Sequence, residues 1–361
     1  MTHAPKSPWK LLAAALLAGL AAAVSYLANE LVNGEPDPLL PPVPAIEDPP
    51  QQYGWVNDPA AVTAVKSSLP CPEFRKTEAF ETTYEGPDDV YLWNACRKVN
   101  GSLLPPRDQK RVGSCVGFGT ATAVEHLMCV QIASGSAEEF HDLAPEVIYA
   151  GSRVQIGGGR INGDGSVGRP VRAAVRRCPP WFVPGTRSED LRRTPLPRPR
   201  SAGRSRGVPA ELIPVAKKHP VQAIASVKSW TEARAAVRNG YPIAVCSSQG
   251  FTRTRDADGF CQPSGVWMHC MALVGIRGGS RPGGFLVNSW GPTAHTGPGG
   301  PGSPSPAGFW ADAAVLDRML GEGDSWAFSG FAGFPARKLD WYARLSNDPN
   351  SPPIHTARRD P

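Results

Sequence analysis

Four residues of the 361-residue sequence could act together as a nucleophilic site: Gln109, Cys115, His269 and Asn288. A cysteine is a good nucleophile only as the thiolate, which a helix N-terminus or a neighbouring imidazolium favours. Cys115 follows Ser114 at the predicted start of a helix, where the helix dipole stabilises an anion. His269 could take the thiol proton, and the Asn288 amide could accept the imidazole N–H and fix its tautomer. The four residues therefore indicate covalent catalysis at Cys115.

The other cysteines and histidines are weaker candidates. Cys129 lies inside the predicted helix and Cys246 inside an apolar strand, so both are expected to pack in the core. Five of the six other histidines fall in tails, in the helix, or beside Pro- and Gly-rich loops: His3, His126, His219, His295 and His355. The eight cysteines show no CxxC pair and no zinc spacing, so no metal ion or cofactor is expected. With one cysteine kept as a working thiol, at most three disulfides are possible.

Helical patterns dominate the first half of the candidate domain. Residues 115–132 carry an apolar face suited to a helix that Ser114 could cap, and residues 143–155 form a shorter helix candidate. Further along, Ser229 and Glu232 make a capping box for a helix that Gly240 ends.

Strand patterns follow in the second half. Short apolar runs at 241–248, 269–276 and 284–290 are bounded by Gly, Pro or polar residues and predict buried strands. If the last two are neighbours, Asn288 comes close to His269. Helices that come first and strands that come later indicate a segregated α+β fold.

The order Gln, Cys, His, Asn resembles the papain family of cysteine peptidases. Gln109 lies six residues before Cys115, the family's offset, and "GSCVGF" is similar to the family's Cys-Gly-Ser-Cys-Trp-Ala-Phe. "HCMALVGI" from residue 269 is similar to His-Ala-Val-x-x-Val-Gly-Tyr, and "NSWG" from residue 288 is identical to the family motif. "GFW" at 308–310 suits the strand that follows. The resemblance covers about residues 88–336.

This resemblance implies a two-lobed papain-like fold. An N-terminal helical lobe would carry the Cys helix, and a C-terminal antiparallel β-barrel-like lobe would carry His269 and Asn288. Cys115 would attack a peptide carbonyl, and Gln109 would help to stabilise the oxyanion. The Trp290 ring would cover the His–Asn bond at the edge of the substrate site. The glycine-rich loop, with Gly157, Gly158 and Gly159, would bind the substrate backbone.

Several positions depart from the family pattern. Val112 replaces the first cysteine of the Cys motif, Val116 replaces its tryptophan, and Met268 stands where an acid or amide often precedes the histidine. The family's long helical propeptide is absent. Three alternatives therefore remain beside a peptidase: a weak or inactive papain-like peptide-binding protein, a cell-wall peptide hydrolase of the same clan, and a membrane-anchored structural protein.

The rest of the sequence predicts the domain order and the location of the protein. Two lysines precede nineteen uncharged residues from Leu11, which indicates a membrane anchor or a cleaved signal peptide, with a buried Ala/Leu-rich helix as the competitor. Either preferred interpretation predicts a membrane-anchored or secreted, extracytoplasmic protein. The predicted order is a hydrophobic segment (1–32), a Pro-rich linker (33–52), a pre-domain segment (53–87), a peptidase domain (88–336) with an Arg/Pro-rich insert (177–207), and a tail (337–361).

The expected partners follow from this organisation and from the charge. A peptide or protein substrate is expected, together with a membrane reached through the N-terminal segment. The net charge of +6 comes from arginines crowded between residues 169 and 206, so no nucleic-acid partner is expected. The sequence does not indicate an oligomeric state.

Overall fold

The computed structural model describes most of the candidate domain. The described residues are 54–67, 73–156, 165–166, 207–208 and 221–339. The predicted hydrophobic segment, the Pro-rich linker and all but the last residue of the Arg/Pro-rich insert lie outside these ranges. Six cysteines lie within them, all as buried free thiols: Cys96, Cys115, Cys129, Cys246, Cys261 and Cys270.

Helices make up most of the described chain before residue 157. The α-helices of the described ranges are α1 Pro59–Lys66, α2 Glu78–Glu81, α3 Trp93–Asn100, α4 Cys115–Ala133, α5 Pro145–Gly151, α6 Trp230–Arg238 and α7 Ala313–Gly321. A short 3₁₀ turn at Phe74–Lys76 precedes α2, and a π-helical turn at Ser152–Ile156 continues α5.

Helix α4 is the central helix of the domain and begins at the predicted residue, Cys115. Its side chains are buried along nearly its whole length, so packing rather than amphipathicity holds it. The helix is long and apolar enough to cross a membrane, but it is enclosed by the domain, as core helices are. Ser114 occupies the N-cap position without capping through its side chain, because its Oγ donates to the Val112 carbonyl instead.

The predicted capping box at α6 forms in its first half, because the Glu232 carboxylate bonds the N–H of Lys228 and not that of the N-cap residue Ser229. The Ser229 hydroxyl accepts from the backbone N–H of Glu232 at 3.2 Å, and the Glu232 carboxylate accepts from the Lys228 N–H at 3.1 Å. Gly240 follows the helix with a φ of +81°, a left-handed conformation that glycine adopts without strain. Local sequence signals therefore fix both ends of α6.

The strands form one antiparallel sheet. They are β1 Val90–Tyr91, β2 Ala223–Ser226, β3 Ile243–Arg255, β4 Cys261–Arg277, β5 Gly283–Val287, β6 Gly308–Asp312 and β7 Trp326–Ser329. Their order is β2-β7-β3-β4-β5-β6, and β1 pairs with β4. The predicted α+β class is confirmed. The described strands leave β2 and β6 as unpaired edges, so the sheet is open, and "barrel-like" fits it only loosely.

The pairing of β4 with β5 brings the two predicted catalytic strands together. Ala272 lies opposite Val287, so His269 and Asn288 lie at the same end of the strand pair. Helix α4 packs across β4 at Gly119, where a Cβ atom would lie only 3.0 Å from the Cys270 carbonyl oxygen. This close approach places the first turn of α4, with Cys115, beside the His269 end of β4.

Candidate active site

Cys115 is the first residue of α4 and has no exposed surface. Burial raises the pKa of the thiol, and backbone hydrogen bonds from Cys270, Gly54 and Val116 only partly oppose that rise. The neutral thiol is therefore favoured in this structure. This differs from the thiolate expected at a helix N-terminus, because desolvation outweighs the helix dipole at a fully buried site.

The imidazole of His269 is held by Asn288. The Ser289 backbone N–H donates to Asn288 Oδ1 at 2.7 Å, which identifies that atom as the amide oxygen. The same oxygen lies 2.9 Å from His269 Nε2, so Nε2 carries the ring hydrogen. Burial lowers the pKa of His269 to about 4. His269 Nδ1 is buried with no hydrogen-bond partner among the described residues. The neutral ring thus keeps an acceptor nitrogen available for a proton.

The Trp290 ring covers His269. The two ring centroids lie 4.6 Å apart with an interplanar angle of 31°, and Trp267 packs edge-on against Trp290 at 4.7 Å. These aromatic faces exclude water from the His269–Asn288 bond and strengthen it by lowering the local dielectric constant.

Gln109 has a fixed amide orientation beside the Cys115 turn. The Ser289 hydroxyl donates to its Oε1 at 2.6 Å, and its Nε2 donates to the Val112 carbonyl at 2.8 Å. The Gln109 backbone N–H also donates to the Ser289 carbonyl at 2.8 Å. The donor nitrogen therefore lies on the side of the turn that leads into Cys115.

His295 is a neighbour of the site that the sequence analysis missed. Its Nε2 lies 3.2 Å from Asn288 Nδ2, which must donate because amide nitrogens do not accept. His295 Nδ1 lies 3.7 Å from the Cys261 sulfur, and the Arg253 backbone also hydrogen-bonds the ring. Burial lowers the pKa of His295 to about 3, so the ring is neutral. A histidine seven residues after Asn288 is the one local signal in the sequence, and its Gly/Pro-rich surroundings favour a loop without a role.

A second missed feature is an extended segment that covers the thiol. The backbone N–H groups of Gly54 and Trp55 donate to the Met268 carbonyl at 3.1 and 3.0 Å, directly before His269. Gly54 lies so close to the loop before Cys115 that a Cβ there would overlap the Gly113 carbonyl. The sequence predicts this segment to lie ahead of the domain and indicates no role for it, since a short run without periodicity carries no local signal.

The glycine-rich loop is described only at its end. Gly157, Gly158 and Gly159, predicted to bind a substrate backbone, lie outside the described residues. Gly165 and Ser166 are described, and Ser166 exchanges backbone hydrogen bonds with the extended segment: Ser166 N–H donates to the Gly54 carbonyl at 2.6 Å, and Val56 N–H donates to the Ser166 carbonyl at 3.1 Å. The end of the loop thus pairs with an extended chain.

Chemically, the assembled groups provide a thiol, a neutral imidazole with a free acceptor nitrogen, and a fixed amide donor.

No protein-family model matches the chain, and no curated protein matches its sequence. Solved structures do match. Xylellain, a cysteine protease from Xylella fastidiosa, aligns over 78% of this chain and 96% of its own with 15% identity and a TM-score of 0.52. The fold is papain-like.

A second solved structure with this papain-like fold is the Amb a 11 cysteine protease, a ragweed pollen allergen, in its proform. It aligns over 86% of this chain and 74% of its own, with 15% identity and a TM-score of 0.50.

Two residues that depart from the family pattern have structural uses here. The Val112 carbonyl accepts from Gln109, and the Met268 carbonyl accepts from the extended segment. Both contacts are made through the backbone, so the side-chain changes leave them intact.

Proposed function

We propose that the protein is a cysteine-type peptidase that hydrolyses peptide bonds through Cys115, His269 and Asn288. The observation that carries the proposal is the His269–Asn288 hydrogen bond, because it leaves Nδ1 as the acceptor beside the first turn of α4. A papain-like fold, shared with solved cysteine proteases, supports the same chemistry.

In the proposed reaction the Cys115 thiol proton moves to His269 Nδ1, and the sulfur attacks the peptide carbonyl carbon. The C–N bond then breaks as His269 Nδ1–H protonates the departing amine, leaving a thioester on Cys115. Water attacks the thioester, gives one proton to His269 Nδ1, and releases the acid with the thiol restored. Asn288 keeps Nε2 protonated throughout, so Nδ1 alone exchanges protons.

Two donors would stabilise the oxyanion of each tetrahedral intermediate: the Gln109 amide and the Cys115 backbone N–H. The bond from Ser289 to Gln109 Oε1 directs the donor nitrogen toward the Cys115 turn before substrate arrives. One such preorganised donor contributes about 3 kcal/mol to transition-state stabilisation.

The proposed enzyme rests in a covered state. Gly54 lies against the thiol, and burial keeps Cys115 and His269 neutral. Removal of the segment would let water reach both groups, lower the thiol pKa and raise the imidazole pKa. The thiolate–imidazolium pair would then become accessible.

The decisive test compares full-length wild type with Cys115→Ala on casein and a peptide library. Cys129→Ala is the matched control, because Cys129 is a buried thiol of the same helix. All three are also made with Gly54→Ala, which should prevent the segment from covering the site. Hydrolysis is expected to vanish only when Cys115 is replaced. Unchanged hydrolysis by Cys115→Ala would refute the proposed nucleophile.

The second candidate function is peptide binding without cleavage, which the covered, neutral thiol favours. The thiol inhibitor E-64 separates the two candidates in the same variants. A mass shift on Cys115 together with casein turnover supports the peptidase, whereas labelling without turnover in any chain supports the binding protein. Peptidoglycan digestion without activity on casein would point to a cell-wall peptide hydrolase.

We also propose that the domain acts outside the cytoplasm, secreted or tethered by residues 1–32. The support is the uncharged stretch after Lys10 in the sequence. N-terminal sequencing of exported protein tests this, since a new N-terminus near Ser25 would show cleavage and the intact leader would show an anchor.

A further inference from the structure

Residues Gly54–Val56 form an extended strip with backbone hydrogen bonds on both edges. One edge donates to the Met268 carbonyl, and the other exchanges bonds with Ser166 at the end of the glycine-rich loop. Extended peptides bind to proteins through such edge pairing, with alternate side chains entering pockets. The strip also lies against Cys115. A peptide substrate that reached this thiol would therefore have to take the place of the strip.

Trp55 is the side chain of this strip that is buried in the domain. Only 2% of it is exposed, and its indole Nε1 donates to Asp324 Oδ2 at 2.8 Å. The other carboxylate oxygen, Oδ1, accepts from Trp326 Nε1 at 3.0 Å. Asp324 is 1% exposed and directly precedes Ser325 and strand β7, so its position is fixed by the sheet. The Trp55 pocket, defined by Trp55 and Asp324, thus ends in an oriented hydrogen-bond acceptor.

We propose that the Trp55 pocket is a substrate side-chain pocket that selects tryptophan, with Asp324 as the specificity-determining residue. Gly54–Val56 is its internal occupant, and a substrate tryptophan replaces the Trp55 indole and donates its N–H to Asp324. The inference rests on the proposed peptidase function and names the substrate class for that site.

A buried carboxylate gives selectivity because an occupant without a donor forfeits a hydrogen bond that water no longer replaces. Sites built to bond a substrate N–H or O–H reject analogues that lack it far better than they reject a change of size. Benzothienylalanine has nearly the shape of tryptophan but carries sulfur in place of the indole N–H. A loss of about 10- to 100-fold is expected for that replacement, the range for a hydrogen bond to a charged group.

The kinetic experiment uses full-length protein carrying Gly54→Ala and Trp55→Ala, so that neither the strip nor its indole blocks the site. Paired peptides carry tryptophan or benzothienylalanine at each position in turn, and kcat/KM is measured for each pair. At one position the tryptophan peptide is expected to be cleaved about 10- to 100-fold faster. In Asp324→Leu this ratio should fall to about one, and in Asp324→Asn, which keeps one acceptor oxygen, it should be intermediate.

A ligand experiment needs no hydrolysis. Full-length Trp55→Ala empties the pocket, and indole or benzothiophene is added while the melting temperature is followed. Indole is expected to raise the melting temperature more than benzothiophene does, and Asp324→Asn in the same chain should reduce the difference. The comparison within one variant does not depend on how stable that variant is.

The outcomes separate the two proposals. Cys115-dependent hydrolysis with tryptophan and benzothienylalanine cleaved equally at every position overturns the pocket assignment and leaves the peptidase standing. Hydrolysis that is absent, or independent of Cys115, overturns the peptidase, and with it the pocket's role in catalysis, whatever indole binds. Equal stabilisation by indole and benzothiophene overturns Asp324 as the selecting group.

Discussion

His269 and Cys115 lie at neighbouring positions of the site and are held in different ways. His269 is fixed by a chain of side chains, since Asn288 accepts from its ring and donates in turn to His295. Within the described part of the chain, the hydrogen bonds to Cys115 come from backbone groups, and one of these groups belongs to Gly54, far earlier in the sequence. The base is therefore oriented by the sheet, whereas the surroundings of the thiol depend on a removable segment.

This difference means that the orientation of His269 and the activation of Cys115 depend on different parts of the chain. Displacing Gly54–Val56 would leave the bonds of Asn288 in place, because none of those described involves the segment. The same displacement would expose the thiol and the ring to water and reverse the desolvation that keeps both neutral. The geometry of the base is thus built in advance, and the charge state of the pair is set by the segment.

The site has a base half, formed by His269 and Asn288, and a nucleophile half, formed by Cys115 and the segment that covers it. The most damaging change to the base half is Asn288→Ala. It removes the acceptor that keeps the hydrogen on His269 Nε2, so the ring can take the wrong tautomer. We expect kcat to fall on the order of 1000-fold, by analogy with other three-member sites. Labelling of Cys115 by iodoacetamide, with Gly54→Ala present in both chains, should fall far less. Equal losses in kcat and labelling would contradict the separation of the two halves.

Acid pH should destabilise the protein through the base half. The pKa of His269 is about 4 in the folded chain and near 6.5 when unfolded, so the unfolded chain binds the proton first. The contribution of His269 to the free energy of unfolding is fully present above pH 6.5. It declines as the pH falls toward 4, by up to about 3 kcal/mol. Urea unfolding at pH 7.5, 5.5 and 4.5 measures it.

The matched variants for this measurement are His269→Gln and Cys115→Ala. His269→Gln should flatten part of the acid dependence, while buried His126 and His295 retain the rest. Cys115→Ala should leave the acid slope unchanged, because a thiol with a raised pKa is neutral throughout this range. An altered slope in Cys115→Ala would show that the two halves titrate together.

Gly54→Ala should act on the nucleophile half. The added Cβ overlaps the Gly113 carbonyl, which shifts the segment off the thiol. Overpacking of this kind costs typically about 1–3 kcal/mol, so iodoacetamide should label Cys115 at least about fivefold faster. Gly321→Ala is the control, because a Cβ at residue 321 meets open space. Unchanged labelling in Gly54→Ala would mean that the segment does not protect the thiol.

The smallest expected effect belongs to His295→Leu. It removes the acceptor for Asn288 Nδ2, and loss of one neutral hydrogen bond of about 1 kcal/mol lowers kcat about fivefold with KM unchanged. His126→Leu is the control, since His126 is also buried but its one hydrogen bond among the described residues is to the Thr122 carbonyl of its own helix. A merely structural role for His295 would lower the melting temperature of both variants and leave kcat unchanged in both.

Local signals in the sequence predicted the elements well. The start of α4 at Cys115, the Ser229 cap of α6, and the apolar runs of β3, β4 and β5 depend on neighbours within a few positions. Side-chain chemistry and order along the chain also singled out His269 and Asn288, which the β4–β5 pairing does bring together.

Contacts between distant positions were not predictable in the same way. His295 hydrogen-bonds Asn288 because the loop after β5 folds back. Trp55 hydrogen-bonds Asp324, which is 269 positions later in the sequence. The raised pKa of Cys115 has the same origin, since the N-terminal dipole is a local property and burial is not.

The sequence by itself therefore determined the helix that begins at Cys115, the apolar runs within β3, β4 and β5, and the residue types able to do the chemistry. Periodicity, caps and turn residues act over a few neighbouring positions, so they can be recognised from the sequence alone. Tertiary structure decided the protonation state of the thiol, the partner of Asn288 and the occupant of the Trp55 pocket. Each of these depends on which distant backbone excludes water from the site, and that is settled only when the chain has packed.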